Sequence, residues 1–351
     1  MMTTLGVAII GAGGENIATS SHLPAFRHLP EARLVALHDV NAVGVRRYAD
    51  EYGAEAYTDL AAMLARDDVA VVVVASPDRF HCEHVIQAAE AGKHILCQKP
   101  LAMSLDEARR MMAAVTAAGV RFGAAQSLRY EAAPRAARAL IAQGAIGRPV
   151  YASFSVHGRF YSYPPNSPYR KRDSGGQFLH NGPHYVDLVC HLLDDLPVRV
   201  YGQSRAHYPT DDRLETDNYT VCLLDFAGGG LGRVEQDLTR LDPPGLPQHQ
   251  QTRVMGTEGS LVFGTGKEPA LEVCDASGAT VAQPQTIPPH EEPFVLLQRD
   301  FFRAILEDRE PPIPMAWSFR VLEACLGTIA SCATGEPVAL GRVSQDGEDD
   351  G

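Results

Sequence analysis

The stretch LGVAIIGAGGEN, residues 5–16, places a short apolar run directly before a cluster of glycines. The run Leu5–Ile10 carries no charge and predicts a buried strand, and the glycines predict a tight turn into a helix. In this arrangement the pyrophosphate of a dinucleotide can rest on the backbone N–H groups of a helix N-terminus. The stretch therefore predicts the first strand–helix unit of an open parallel sheet, with a dinucleotide site at its turn.

The glycine pattern departs from the GxGxxG fingerprint at its third position, where Asn16 replaces Gly or Ala. Taken alone, such a pattern also fits an ordinary tight turn, so the interpretation depends on its place at the first turn of a sheet. The residues expected to cradle the phosphates are Gly11, Gly13, Gly14 and Asn16.

Asp39 follows the next predicted strand, Arg33–Leu37, and can accept hydrogen bonds from both ribose hydroxyls of a dinucleotide. It lies 26 residues after Gly13, somewhat more than the usual spacing of about 20. Its carboxylate would repel a 2′-phosphate, so Asp39 favours NAD over NADP as the cofactor. Arg46 and Arg47 lie too far along the following helix to reverse this preference.

Helices and strands continue to alternate up to residue 126. The unbroken run Val69–Ala75 predicts a parallel strand that is covered on both faces. Ser104–Ala118 predicts a helix with Ser104 at its N-cap and Gly119 just past its end. The other predicted elements are helices at Ile17–His28, Val43–Tyr52, Leu60–Arg66 and His81–Ala91 and strands at His94–Cys97 and Val120–Ala125. The order predicts an α/β domain over residues 1–126, with the doubly wound parallel sheet of a Rossmann fold.

Residues 127–340 show a different pattern, in which apolar and polar residues alternate in short segments. These predicted strands lie at Val150–His157, Arg199–Arg205, Asn218–Phe226, Gly232–Leu238, Thr252–Met255, Ser260–Phe263 and Leu271–Cys274. The alternation predicts an α+β domain with an open, mostly antiparallel sheet. A further helix is predicted at Ala132–Ala142, and one face of the sheet is expected to be covered by helices at Pro183–Leu193, Phe294–Leu306 and Ala316–Cys332. The open face is expected to join copies of the chain into a homodimer or homotetramer, and residues 341–351 form an acidic tail expected to be disordered.

Composition and charge exclude several classes of function. The 351 residues carry a net charge of −12, which argues against nucleic acid or an anionic membrane as partner. The longest aliphatic run, Val69–Ala75, is too short to span a bilayer, and the N-terminus lacks the basic start of a signal peptide. The seven cysteines form no CxxC pair and are expected to be reduced thiols in the cytoplasm.

Lys99 stands at the carboxyl end of a predicted parallel strand, where ligands bind in such sheets. An ammonium beside a nicotinamide ring can hydrogen-bond a substrate hydroxyl and favour its alkoxide. A neighbouring strand ends at Ser76 on the same edge. The cofactor contacts expected at these two strand ends are Ser76, Pro77, His81, Gln98 and Lys99. For His81 the residues leave two interpretations open, a cofactor contact or a histidine that merely begins its helix.

The motif HNGPH, residues 180–184, holds two histidines at the spacing with which a helix could bind zinc. Proline is tolerated in the first turn of a helix but not inside one, so the helix is expected to begin near Asn181–Pro183. His180 would then lie on the preceding loop. No Asp, Glu or Cys stands at a matching spacing, and we predict no metal site. His184 can act as a general base near neutral pH or can cap its helix.

These motifs in combination resemble the Gfo/Idh/MocA family of oxidoreductases, over nearly the whole chain. The resemblance rests on GAGG with HLPAF (residues 22–26), ASPDRFH (75–81), AGKHILCQKPLA (91–102), AIGRPV (145–150) and GGQFLHNGPHYVD (175–187). It implies a Rossmann domain, a C-terminal α/β domain with an open sheet, and a bound nicotinamide cofactor.

The resemblance also implies roles for individual residues. The family's lysine motif is usually Glu-Lys-Pro, and here it reads Gln98-Lys99-Pro100. The family's last motif is commonly Asp-x-Gly-x-His, in which the aspartate and the histidine join the lysine in catalysis. Lys99 and His184 match, but His180 occupies the aspartate position, as a substrate contact or a proton relay. Asp187 is expected to pack or to orient its neighbours.

Polar and aromatic residues of the second domain suit a polyol substrate. The candidate contacts, besides His180, are Arg129, Tyr130, Tyr161, Tyr169 and Arg170. Tyr169-Arg170 resembles a Trp-Arg pair of the family. The leading hypothesis is an NAD-dependent dehydrogenase that acts on a secondary hydroxyl of a sugar, a sugar derivative or a cyclitol, or that reduces the ketone. Two alternatives remain: a hydrolase or lyase that oxidises a glycoside transiently, and a non-catalytic regulator that binds the cofactor.

Overall fold

The computed structural model describes residues 4–158, 171, 175–206, 216–239, 249–265, 271–282 and 292–341. The chain divides into an N-terminal unit, residues 1–127 with 291–319, and a C-terminal unit, residues 128–290 with 320–351. Three predicted substrate contacts, Tyr161, Tyr169 and Arg170, lie outside the described residues, as does the acidic tail after Gly341.

The N-terminal unit is built on a six-stranded sheet with the order β3-β2-β1-β4-β5-β6. Its strands are β1 (Leu5–Ile10), β2 (Ala32–His38), β3 (Glu55–Tyr57), β4 (Val71–Val74), β5 (His94–Cys97) and β6 (Phe122–Ala124). All neighbouring strands are parallel, which confirms the predicted Rossmann sheet. The direction of the strand order reverses between β1 and β4, and such a reversal opens a crevice at the carboxyl ends of the strands.

The helices of this unit follow the predicted order, with one irregular segment. The regular helix predicted at residues 17–28 is instead a π-helical turn (Ala18–His22), the short helix α1 (Leu23–Ala25) and a 3₁₀ turn (Phe26–His28). Pro24 contributes to the break because it has no N–H to bond the preceding turn. The regular helices are α2 (Ala42–Tyr52), α3 (Leu60–Leu64), α4 (His81–Glu90) and α5 (Leu105–Ala118). Ser104 caps α5 as predicted, by accepting the N–H of Glu107 at 3.2 Å.

The C-terminal unit is built on a nine-stranded sheet with the order β14-β13-β12-β11-β7-β10-β9-β8-β15. Its strands are β7 (Pro149–His157), β8 (Pro197–Arg205), β9 (Tyr219–Phe226), β10 (Leu231–Asp237), β11 (His249–Gly256), β12 (Gly259–Thr265), β13 (Leu271–Asp275), β14 (Thr280–Ala282) and β15 (Val338–Ala339). Among these described strands only β7 and β10 pair in parallel, so the predicted mostly antiparallel sheet is confirmed. The edge strands β14 and β15 are too short to show an alternating pattern in the sequence.

The two faces of this sheet differ in exposure. The helices α6 (Ala132–Ala142) and α7 (Gly176–Leu193) pack on one face, and the alternate residues of β9 and β10 are buried there. The remaining residues of these strands face outward, among them Leu223 and Leu231, which are 48% and 53% exposed. The sheet therefore has an open face that carries exposed apolar side chains.

The next helix, α8 (Pro293–Leu306), belongs to the N-terminal unit, although the sequence pattern assigned it to the C-terminal sheet. The ring of Phe302 lies 6.1 Å from that of Phe26, and Arg303 pairs with Glu31 at 2.9 Å. The assignment was wrong because periodicity reveals that a helix has a buried face but not which surface covers it. The chain therefore returns to the N-terminal unit at residues 291–319, whereas the sequence predicted one continuous second domain over residues 127–340.

The last helix, α9 (Met315–Thr334), contributes residues to both units. In the C-terminal unit, Thr328 Oγ1 lies 3.0 Å from the Sγ of Cys222 on β9. In the described parts of the chain, none of the helices combines the length and the apolar character that crossing a bilayer requires.

Candidate functional site

The turn after β1 is held in one shape by its own backbone and by Asn16. Gly11 has a φ of +96°, and a Cβ there would lie 2.6 Å from the Ala75 carbonyl oxygen. The Nδ2 of Asn16 donates to the carbonyl of Gly11 at 2.9 Å, while its Oδ1 accepts the N–H of Ala18 at 2.9 Å. Asn16 thus closes the turn and caps the helical segment after it, which explains why the third fingerprint position need not be glycine.

Asp39 is connected directly to the glycine turn. Its Oδ2 accepts the N–H of Gly13 at 2.8 Å, and its Oδ1 accepts the N–H of Asn41 at 2.9 Å. A Cβ on Gly13 would lie 2.4 Å from the Cγ of Asp39, whereas a Cβ on Gly14 would meet nothing within 4 Å. The turn is therefore open towards Gly14 and carries a carboxylate where the ribose of a dinucleotide binds in this fold. These residues fit the phosphates and the ribose of NAD.

Lys99 follows β5 and is half-buried, with a cis peptide bond to Pro100. Burial lowers the pKa of Lys99 to about 8, against the opposing effect of the nearby Asp78 carboxylate. Burial has this effect because a low-dielectric surrounding disfavours the charged form of an amine. An amine whose pKa lies this close to neutral pH can stabilise a developing alkoxide as its ammonium form and can also exchange a proton.

His81 fixes the ends of β4 and β5 to each other. The side chain is fully buried, with Nδ1 at 2.8 Å from the carbonyl oxygen of Pro100 and Nε2 at 2.9 Å from that of Ser76. His81 is also the first residue of α4, as one of the two interpretations expected. Its contacts hold together the backbone that follows β4 and the backbone that follows β5, and a direct contact with the cofactor stays a prediction.

Gln98 belongs to a buried network that the sequence alone did not reveal. Its Oε1 accepts the N–H of Lys99 at 3.3 Å, and its Nε2 lies 2.8 Å from the Nε2 of His22. Since the amide nitrogen can only donate, the His22 nitrogen must accept. Burial lowers the pKa of His22 to about 4, so this imidazole is neutral at pH 7. His22 is the histidine of HLPAF, one of the motifs on which the family resemblance rests.

The helix α7 begins at Gly176, earlier than the position predicted from Pro183. Pro183 lies inside the helix, and His180 therefore lies on the helix rather than on a loop. Most of the α7 surface is buried, and the packing of the whole helix outweighs the backbone hydrogen bond that proline removes. The expectation of a helix start at residues 181–183 was wrong for this reason.

The two histidines of HNGPH consequently share one face of α7. Between Gly176 and Cys190 the half-buried side chains are those of His180, Asn181, His184 and Tyr185, and the others are buried. Within the described residues, no group of three His, Cys, Asp or Glu side chains is arranged to hold a metal ion. The face thus presents two imidazoles suited to proton transfer.

Arg129, a predicted substrate contact, forms a buried ion pair with Asp187. The Arg129 Nε lies 2.5 Å from Asp187 Oδ2, and its Nη2 lies 2.5 Å from Oδ1. The two side chains are 8% and 0% exposed. Asp187 follows His184 by one helical turn, so the pair anchors the part of α7 that carries His184. Asp187 has the packing role expected of it, while a substrate contact by Arg129 stays a prediction, as does one by Tyr130.

Two family models match the chain. The model of the Gfo/Idh/MocA oxidoreductase family, NAD-binding Rossmann fold, matches residues 5–126, and the model of the Gfo/Idh/MocA C-terminal domain matches residues 135–262.

Individual proteins resemble the chain over most of its length. The 1,5-anhydro-D-fructose reductase of Ensifer adhaerens is 32% identical over 65% of this chain and 67% of its own. The scyllo-inositol 2-dehydrogenase (NAD(+)) of Bacillus subtilis (strain 168) is 27% identical over 95% of each chain. The crystal structure of levoglucosan dehydrogenase in complex with NADH and L-sorbose has a TM-score of 0.85 and 25% identity, over 97% of this chain and 100% of that one. The chain belongs to the Gfo/Idh/MocA family of oxidoreductases, and its N-terminal unit is an NAD-binding Rossmann domain.

Proposed function

We propose that the protein is an NAD-dependent dehydrogenase that oxidises a secondary hydroxyl of a sugar, a sugar derivative or a cyclitol, or reduces the corresponding ketone. The observation that carries the proposal is Lys99, which stands at the carboxyl edge of the NAD-binding sheet with its pKa lowered to about 8. The relatives support the substrate class, because two of those named above are a 1,5-anhydro-D-fructose reductase and a scyllo-inositol 2-dehydrogenase.

The residues divide the reaction between them. NAD, when bound, supplies the hydride acceptor. His184 takes the proton of the substrate hydroxyl, because a neutral imidazole is a competent base near pH 7. Lys99 hydrogen-bonds the same oxygen and stabilises the negative charge that develops on it. His180 serves as a second substrate contact or relays the proton towards water.

The test is a panel of scyllo-inositol, myo-inositol, levoglucosan and D-glucose with NAD, followed by the absorbance of NADH. A dehydrogenase accumulates NADH with at least one member. Consumption of a glycoside without net NADH would instead identify a hydrolase or lyase that oxidises its substrate transiently. Tight NAD binding with no turnover of any member would identify a regulator.

The pKa of Lys99 sets the direction of the pH dependence. The ammonium form predominates below pH 8 and is lost as the pH rises through about 8. If this charge stabilises the alkoxide, kcat/KM for oxidation falls above that pH. Lys99→Arg, which keeps its charge, should lose this alkaline limb. A rate in the native enzyme that rises through pH 8 would contradict the role assigned to Lys99.

Asp39→Ala should narrow the preference for NAD over NADP by at least about tenfold, or ~1.4 kcal/mol. The carboxylate accepts the ribose hydroxyls of NAD and repels the phosphate of NADP, so its loss weakens one cofactor and helps the other. The dissociation constants of both cofactors would be measured by fluorescence titration. Asp50→Ala, on the exposed side of α2, removes the same charge and should leave the preference unchanged. Tighter native binding of NADP than of NAD would contradict the assignment.

We also propose that copies of the chain associate through the open face of the C-terminal sheet, as a homodimer or homotetramer. Leu223, Leu231 and Met255 are exposed on that face, and such apolar surface is normally covered. Leu223→Arg should yield a monomer by light scattering at micromolar concentration. Leu306→Lys, at an exposed position of α8, should not change the assembly. A monomeric native protein would refute this proposal.

A cytoplasmic location is the third part of the proposal. All seven cysteines are free, and five of them are buried. Burial raises the pKa of Cys222 to about 12, which keeps this thiol protonated and unreactive. Free thiols of this kind fit a reducing compartment that also supplies NAD.

A further inference from the structure

Two glutamine side chains in the C-terminal unit are buried without satisfying their amides. Gln177 on α7 is 1% exposed and Gln236 on β10 is 0% exposed. In both, neither Nε2 nor Oε1 has a hydrogen-bond partner among the described residues. Buried polar atoms in folded proteins nearly always have partners, because leaving them unbonded destabilises the fold. Because both polar atoms of each of these two amides lack a partner, the two side chains point to a ligand that provides the missing bonds.

Gln177 lies in the same row of α7 as the two histidines. Residues three and seven positions apart share one side of a helix, so Gln177, His180 and His184 are successive members of this row. Gln177 is buried and lies at the N-terminal end of this row, whereas the two histidines are half-buried.

The packing of α7 against the sheet shows where Gln236 belongs. A Cβ on Gly230 would lie 3.8 Å from Leu193 Cδ1, and a Cβ on Gly232 would lie 2.9 Å from Val189 Cγ1. As β10 advances along the chain, its contacts on α7 therefore move back towards the start of the helix.

The next step along the sheet follows the same direction. Val234 of β10 pairs with Phe154 of β7, and the ring of Phe154 stacks on Tyr185 at 4.6 Å. Gln236 is the next residue of β10 that faces the helix. The register places it against the turn of α7 that contains His180.

Thr216 adds a third unsatisfied group at the start of the same helix. A Cβ on Gly176 would lie 2.9 Å from Thr216 Cγ2, and the buried Oγ1 of Thr216 has no partner among the described residues. Uncharged donors and acceptors of Gln177 and Thr216 thus lie at the buried end of the row formed by Gln177, His180 and His184, and Gln236 belongs to the strand that packs against the same turn of α7.

We propose that Gln177 and Gln236 form a subsite that binds hydroxyl groups of the polyol next to His180 and His184, an inference that rests on the proposed function. A carboxamide offers two donors and one acceptor, and each hydroxyl of a sugar or cyclitol both donates and accepts. The amides carry no charge, so they suit a neutral polyol better than a sugar phosphate or a sugar acid. A site built for a hydroxyl rejects an analogue without it, because its buried groups then remain unpaired.

The test replaces each amide by an apolar chain of similar length, in Gln177→Met and in Gln236→Met. Without substrate, each variant should gain about 2 °C or more in Tm, because an unsatisfied amide is removed from the interior. With the best polyol of the panel, kcat/KM should fall at least about tenfold because KM rises, while the Kd of NAD stays constant. Gln298→Met is the matched control in the N-terminal unit. The Nε2 of Gln298 donates to the carbonyls of His22 and Phe294, whereas its Oε1 has no partner among the described residues; because this variant loses two hydrogen bonds, it should lose Tm.

The Tm and KM values together show whether the subsite exists. A lower Tm in Gln177→Met and Gln236→Met would show that the amides have partners and would overturn the subsite. A higher Tm with an unchanged KM would assign the space to water and would overturn it equally. If no polyol is turned over, the proposed function fails, and the subsite is judged by binding of myo-inositol alone. A myo-inositol-induced rise in Tm that both variants lose would support it, and its absence in the native protein would refute it.

Discussion

Lys99→Ala and His184→Ala should each lower the turnover of the preferred polyol by about a hundredfold or more, the usual scale for a lost acid–base group. In the proposed mechanism Lys99 stabilises the reacting oxygen and His184 takes its proton, so a neighbouring side chain should not replace either function at the same atom. The measurement is kcat at saturating NAD, together with the Kd of NAD. In His184→Ala the Kd should change little, because the residues proposed to bind the cofactor, the glycine turn and Asp39, do not belong to α7.

The controls are a lysine and a histidine outside the proposed machinery. Lys93 donates to the carbonyl of Arg66 near the amino end of β5, and His28 is exposed, so Lys93→Ala and His28→Ala should keep turnover near the native value. Full activity in a well-folded His184→Ala protein would defeat the proposed mechanism. A lower Tm with normal kcat would show that His184 has only a structural role.

His180 tests the departure from the family pattern. As a relay or a substrate contact, His180→Ala should also reduce turnover. His180→Asp restores the common residue of the family and should either retain activity or change the range of substrates. If HNGPH held a metal, activity would disappear with a chelator and zinc would copurify with the protein, and either result would refute the proton-transfer role.

Local chemistry made the N-terminal unit predictable. Strand β1 was predicted at its observed bounds, because a six-residue apolar run that ends at glycines is too short for a typical helix and is typical of a buried parallel strand. The cap of α5 by Ser104 is set within four residues and needs no distant partner. In the C-terminal unit, the helix α6 was likewise predicted at its observed bounds.

The parts that the sequence missed depend on distant contacts. The helix α8 has a clear apolar face, but its partners are residues such as Phe26, which lie far back in the chain. The start of α7 contradicts the local preference of Pro183, because burial of the whole helix overrides one lost hydrogen bond. The network of Gln98 and His22 joins residues separated by 76 positions. A single sequence carries no local signal for such pairs.

Arg129 and Asp187 are another pair that is distant in sequence, 58 positions apart. Breaking their ion pair is expected to have the largest effect on stability. Asp187→Leu or Arg129→Met should each lower the free energy of unfolding by about 3–5 kcal/mol, because each leaves one buried charge without its counter-charge. The quantity is measured from the urea midpoint and the m-value. The guanidinium binds both oxygens of the carboxylate at 2.5 Å, and both side chains are buried, so water cannot readily replace the lost partner.

The double variant separates the cost of a broken pair from the net contribution of the intact one. Arg129→Met combined with Asp187→Leu removes both charges and should recover most of the loss, because desolvation of a buried pair nearly cancels its attraction. Asp106→Ala is the exposed control: Asp106 pairs with Arg109 on the surface of α5, and its loss should change stability by less than about 1 kcal/mol. Single variants as stable as the native protein would contradict the argument. A double variant as unstable as either single one would show instead that the pair, once formed, holds α7 in place by more than the balance of its charges.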